Sequence, residues 1–127
     1  MQSYTLSNGV EVVNATPHDL TFATADGTES AARSGAIISA AVVEDSVYEH
    51  GVEFARPGFI ASVEGAQLIQ DIRKSFPGAL IIGSLIAAQA YPGEVVAMVA
   101  APGYERVAPA DKRMNPAKFT RFNKEAK

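Results

Sequence analysis

Val10-Glu-Val-Val-Asn-Ala-Thr-Pro-His-Asp-Leu-Thr-Phe22 places a polar turn between two apolar runs. Asn14 accepts from backbone two residues on, as in an Asx-turn. Pro17 holds Thr16 in extended backbone. His18 then projects from a fixed turn, with Asp19 beside it. Val12 and Val13 before the turn, and Leu20 and Phe22 after it, are strand-forming residues. This segment therefore predicts strand, rigid turn, strand.

The same logic extends outward. Residues 3–6 and 10–14 flank Ser7-Asn8-Gly9, a hairpin signal because Asn and Gly tolerate positive φ. Residues 19–24 alternate polar and apolar, as in a strand with one wet face. Asp26-Gly27 turns the chain, and a return strand starts at Thr28. Residues 36–43 predict a buried strand, Glu44-Asp45-Ser46 a solvated loop, and 48–54 a hairpin turning near His50-Gly51. Pro57-Gly58 is expected to break that hairpin, with 59–63 as a short strand. Leu68, Ile69, Ile72 and Phe76 recur at helical spacing, which predicts an amphipathic helix over 66–75 stopped by Pro77-Gly78. Residues 79–83 form a continuous apolar strand, Ser84 a cap, and 85–90 a short apolar helix. A valine-rich strand is expected over 94–100, with late edge strands at 106–107 and 118–122 around a polar loop, 109–116. Turn signals every ten or so residues favour an α+β class: a single, mostly antiparallel β domain with one amphipathic and one short apolar helix.

The chain has 127 residues and no cysteine. Disulfides, thiolate metal sites and cysteine nucleophiles are excluded. The first residues carry no basic stretch followed by an apolar run, so no secretory signal is expected. The longest nearly apolar stretch, 79–90, falls short of the ~20 residues a membrane span needs. No membrane is expected as a partner, and the host cytoplasm or a virion is the expected location. Charge is uneven. Residues 1–100 carry four basic against eleven acidic side chains, and 101–127 carry seven against three. This divides the chain into a compact body, 1–103, and a basic, aromatic-containing segment, 104–127, which either joins the same domain or forms a docking arm.

The Asn14-Ala-Thr-Pro-His18 run, the later Ser34-Gly35 and the block Pro77-Gly-Ala-Leu-Ile-Ile-Gly-Ser-Leu-Ile-Ala-Ala-Gln-Ala90 occur in a distinctive order. The order resembles small proteins, common in tailed phages and actinobacterial genomes, that begin with valine-asparagine-leucine-threonine-proline-histidine. Those proteins carry a Tyr-Ile-Val-Ser run and then an apolar Val-Ala-x-Ala segment. Leu80-Ile-Ile-Gly-Ser84 and Ile86-Ala-Ala-Gln-Ala90 stand in that place here. Ala15 stands where the family has Leu, and the helix over 66–75 replaces a short acidic loop. The resemblance implies a phage or prophage origin and brings no activity with it.

Candidate chemistry is sparse. Asn14, Thr16 and His18 either contact a ligand or lock two strands. Ser84 follows a strand and opens a helix, which suits an anion or simply an N-cap. A Ser84–His18–Asp19 triad is disfavoured, because adjacent strand residues point to opposite faces. His18, His50, Asp45, Glu49 and Glu53 lack metal-ligand spacing, so no metal is expected. No phosphate-binding glycine loop occurs, and no cofactor is expected. In the C-terminal segment Tyr104, Phe119 and Phe122 interleave with Arg106, Lys112, Arg113, Lys118 and Arg121. That pattern stacks bases or docks a sister subunit. Docking is preferred, since nucleic-acid binders usually carry net basic charge. The sequence thus predicts a non-enzymatic, oligomeric phage accessory protein, active in host interaction, that binds or sequesters a small anionic, nucleotide-like ligand. Asn14, Thr16, His18, Ser84 and Arg113 are the expected ligand residues, and Phe119, Arg121 and Phe122 the oligomer-docking ones. The alternative is a structural virion protein, such as a capsid decoration or connector subunit, with capsid proteins as partners.

Overall fold

Val12 and Val13 are neighbours, and both are fully buried. Successive strand residues point to opposite faces, so the sheet is covered on both sides at this point. Val12 joins Leu6, Leu20, Phe22, Ala31, Ile82 and Val96 in one core. Val13 joins a second core with Ile69, Ile72, Ile81, Ala87, Tyr91 and Val95. The paired neighbours Ile81/Ile82 and Val95/Val96 divide in the same way.

The computed structural model describes residues 1–123. In chain order it has β1 (Tyr4–Thr5), β2 (Glu11–Asn14), β3 (Leu20–Thr24), β4 (Gly27–Ala31), β5 (Ala40–Glu49), β6 (Val52–Ala61), α1 (Val63–Ser75), β7 (Leu80–Ile82), α2 (Leu85–Ala90), β8 (Val95–Ala100), a 3₁₀ turn (Pro109–Asp111) and β9 (Met114–Thr120). Seven strands form one mixed sheet, in the order β1-β2-β7-β8-β9-β3-β4, nearly closed into a barrel. The first core fills its interior, and the second lies between the sheet and the two helices.

The α+β class holds, but the mostly antiparallel expectation is corrected. β2 pairs with β7, β7 with β8, and β9 with β3, all in parallel. The physical reason is apolar residues on both faces, which require helical cover and hence crossover connections. α2 is the crossover between β7 and β8.

The barrel closes through side chains. Glu29 on β4 accepts from the Ser7 backbone N–H at 2.9 Å and from the Ser7 hydroxyl at 2.7 Å. It also accepts from the Tyr4 hydroxyl at 3.1 Å. These bonds join the β4 edge to the β1 edge. The Ser7 backbone bond, with the hydroxyls, holds the Glu29 carboxyl below its usual range, and the Tyr4 phenol is pushed up by its bond to Glu29.

α1 begins three residues before its predicted start, because Ser62 accepts from Gly65 N–H at 3.0 Å. The Tyr91 hydroxyl accepts from Ser62 N–H and donates to the Ser39 carbonyl, each at 2.9 Å. Gly65 allows that approach, because a Cβ there would overlap the Tyr91 ring and hydroxyl.

Residues 40–61 depart furthest from the sequence reading. The expected buried strand, loop and broken hairpin are replaced by one ribbon. β5 and β6 pair only with each other, from Ala40–Ala61 to Glu49–Val52. His50 (φ 54°) and Gly51 (φ 78°) form the two-residue turn, both in the left-handed region that such hairpins require. Glu44-Asp45-Ser46 stays in the strand because much of the ribbon is wet. Pro57 is tolerated because a strand with an open edge can lack one donor.

The C-terminal segment supplies β9, inserted between β8 and β3. One inner strand over 114–120 therefore replaces the two expected edge strands. Residues 124–127, the end of the expected basic segment, lie outside the described residues. No helix among the described residues is long and apolar enough to cross a membrane.

Candidate functional site

The Asn14–His18 turn is held by its own side chains. Asn14 is buried at the end of β2. Its Oδ1 accepts from Thr16 N–H at 3.1 Å and from the Thr16 hydroxyl at 2.6 Å. Its Nδ2 donates to the His18 carbonyl at 2.7 Å and to the Ala31 carbonyl at 3.2 Å. The Asn14 carbonyl accepts from Ser34 N–H at 3.0 Å. Both donors and both acceptor sites of the amide have partners within the protein. Asn14 and Thr16 thus tie β2 to β4 and fix the backbone from which the exposed His18 side chain projects.

Ser84 and His18 occupy different grooves. Ser84, with Thr16 and Pro17, lines a groove of about 320 Å³ walled by Ile37, Val42, Phe59 and Ile86. The Ser84 hydroxyl accepts from Ala87 N–H at 3.1 Å and caps α2. The groove lining is apolar and holds no cation. His18 lines a groove of about 380 Å³ with Leu20, Thr21, Met98, Lys112 and Met114. The Asp19 carboxylate, in that same groove, pairs with Arg33 at 3.2 Å. The three members of the paper triad are therefore not assembled.

A third groove of about 290 Å³ adjoins the His18 groove and shares Thr21 and Lys112 with it. Arg113 lines it, with its guanidinium 5.1 Å from the centre of the Tyr104 ring. Thr28 and Asp111 complete the polar wall. Lys112 donates to the Glu105 carbonyl at 3.2 Å. Among the described residues the ion pairs are Arg33–Asp19 and Arg56–Asp45, so neither Lys112 nor Arg113 lies within ion-pair distance of a carboxylate there, although the Asp111 carboxylate shares their groove. A solvent-facing cation pair next to an aromatic ring and two hydroxyls suits an anion carrying a flat group.

Of the five expected ligand residues, the fold thus brings His18 and Arg113 to adjoining grooves. Asn14 lies beneath, as a support, while Thr16 both braces the turn and lines, with Ser84, the separate, mostly apolar groove. Lys112, Thr21 and Tyr104 are the additions. Lys112 and Tyr104 carried a signal in the interleaved cations and aromatics after 103, and Thr21 in the wet face of the 19–24 alternation.

Phe119 and Phe122 face the chain's own cores. Phe119 packs against the barrel interior, its ring 6.2 Å from that of Phe22. Phe122 packs against the helix-side core. Arg121 is exposed beside a groove it shares with Arg73 and Glu94. Among the described residues, no cluster of three or more His, Asp or Glu side chains is placed to hold a metal ion.

No protein-family model, curated protein or solved structure matches this chain.

Proposed function

We propose that this chain is a non-enzymatic binding protein that sequesters a small anionic, nucleotide-like ligand across the two grooves that meet at Lys112. The observation that carries this reading is the pair Lys112 and Arg113, neither within ion-pair distance of a carboxylate among the described residues, with the Arg113 guanidinium over the Tyr104 ring. Phosphate oxygens meet the two cations, and a base stacks near the ring. Thr21, Thr28 and His18 supply further hydrogen-bonding groups at the rim. Each groove is near the small end of the ~300–1,000 Å³ range of ligand sites. With the family resemblance, this gives an oligomeric phage accessory protein that acts in the host cytoplasm.

Calorimetry and native mass spectrometry with a nucleotide mixture test it. One ligand per chain is expected. Arg113→Ala should weaken it about 10- to 100-fold, the equivalent of one charge-assisted bond. No binding by the wild type, or unchanged affinity in Arg113→Ala, overturns the reading.

A second reading is a structural virion subunit, capsid decoration or connector. The exposed apolar β5–β6 ribbon favours it, since such surfaces dock on other proteins. Many copies per particle in mass spectrometry of purified virions would establish it, and their absence would remove it.

A further inference from the structure

Residues opposite each other in the β5–β6 register share a face. One face carries Val42/Phe59, Glu44/Pro57 and Tyr48/Glu53. Its root meets the body at the half-buried Phe59, which with Val42 lines the groove that also holds Ser84 and Ile86, while Val42 and Tyr48 stay 65% and 73% exposed. The other face carries Val43, Val47, Val52, Phe54 and Ile60, each between 38% and 53% exposed, and has Asp45 directly opposite Arg56 at mid-length. A two-stranded ribbon is marginal alone in water, and apolar residues on both faces belong to strands covered on both sides.

We propose that this second face is covered by the same face of a second copy of the chain. The charges select the partner and the axis. Two ribbons laid face to face, with a two-fold axis along the strands, place each Asp45 opposite the other copy's Arg56. The same axis sets each Val47 opposite the other's Phe54. An axis across the strands would stack Asp45 on Asp45, which repels. The first face is not self-complementary in this way, since Glu44 and Glu53 have no cation opposite them. Glu49 shares the docking face but sits at the turn, at the wet end of the contact. A closed two-fold contact of this kind is isologous, so each attraction occurs twice. The ribbon footprint is about 33 Å by about 10 Å, which buries on the order of 1,000 Å² over both copies. That is the lower end for specific contacts, so dissociation at about micromolar concentration is expected. The proposal is independent of the ligand reading.

Sedimentation velocity on the full chain between about 1 and about 100 µM tests it. The wild type should dimerise. Asp45→Arg makes the pair of positions doubly positive and Arg56→Asp makes it doubly negative, so each alone should raise the dimer dissociation constant about tenfold or more. An equimolar mixture of the two variants should associate again, and so should the double reversal in one chain. Asp45 and Arg56 side chains are 70% and 66% exposed, so the variants should keep the wild-type circular dichroism, with a modestly lower melting temperature from like charges set opposite each other in the ribbon and from loss of the dimer. A monomeric wild type over the whole range overturns the proposal. So does self-association that ignores the single reversals, or a variant mixture that stays monomeric while both variants are folded.

Discussion

Replacing Asn14 by Ala removes four hydrogen bonds from a buried position. Not all partners are left bare. The His18 carbonyl keeps the Thr16 hydroxyl at 3.0 Å, and that hydroxyl can turn fully toward it. The Thr16 N–H and the Ala31 carbonyl lose the bonds that Asn14 makes to them. Each orphaned buried group costs about 1–3 kcal/mol, so the expected loss is about 3 kcal/mol. For 127 residues that loss corresponds to a melting temperature lower by roughly 10 °C. Urea unfolding followed by circular dichroism reads it directly, with the denaturant slope unchanged. Asn14→Asp refines the test. The amide donor becomes an oxygen facing two carbonyls, so the charged form is disfavoured and the folded-state pKa is raised. A raised carboxyl pKa makes the variant relatively more stable at acid pH. That advantage is lost as pH rises from the unfolded value, about 3.9, through the folded one. A loss below about 1 kcal/mol for Asn14→Ala, or no pH dependence specific to Asn14→Asp, would refute the assignment of this residue as a strand lock.

Three further outcomes follow from the packing. Gly65→Ala should cost about 2 kcal/mol by denaturant titration even though Ala favours helix, because the new Cβ displaces Tyr91 from Ser62 and Ser39. Glu29→Gln should flatten the acid limb of stability. The lowered Glu29 pKa contributes stability above the unfolded value of about 4.3, lost as pH falls through the folded pKa. Melts between about pH 3 and about pH 6 should show a difference worth under about 1 kcal/mol at this solvent-screened seam. Ser84→Ala should cost about 1 kcal/mol as a lost N-cap and leave nucleotide affinity, read by calorimetry, unchanged.

Local chemistry was legible in the sequence wherever it was self-contained. Asn14 and Pro17 specify the turn, Ser84 caps α2, and Ile69 and Ile72 set the buried face of α1. His50-Gly51 marks the hairpin turn because both residues accept positive φ. What the sequence hid depends on partners far along the chain. The 40–61 ribbon reads as fragments, because Glu44, Asp45 and Pro57 are breakers in a buried strand but acceptable in a solvated one. The parallel pairings leave no local mark beyond doubly apolar neighbours such as Ile81 and Ile82. The groove at His18, and the meeting of Lys112 with Thr21, arise only when β9 lies beside β3. Tyr104 and Arg113 were visible as an interleaved pattern, but their stacking was not.

The position of β9 bears on how the chain acquires its fold. β1, β2, β7 and β8 form one part of the sheet, β3 and β4 another, and β9 is the strand that joins them. During synthesis β4 is complete about 90 residues before that joining strand has emerged, an interval on the order of 5–20 s. Throughout it, the β3–β4 hairpin has a bare edge and Phe22 lacks Phe119. Closure by a late, distant strand gives a high contact order, and so slow, all-or-none completion of folding. The interval before β9 arrives is when the nascent chain is most open to aggregation or to capture by chaperones.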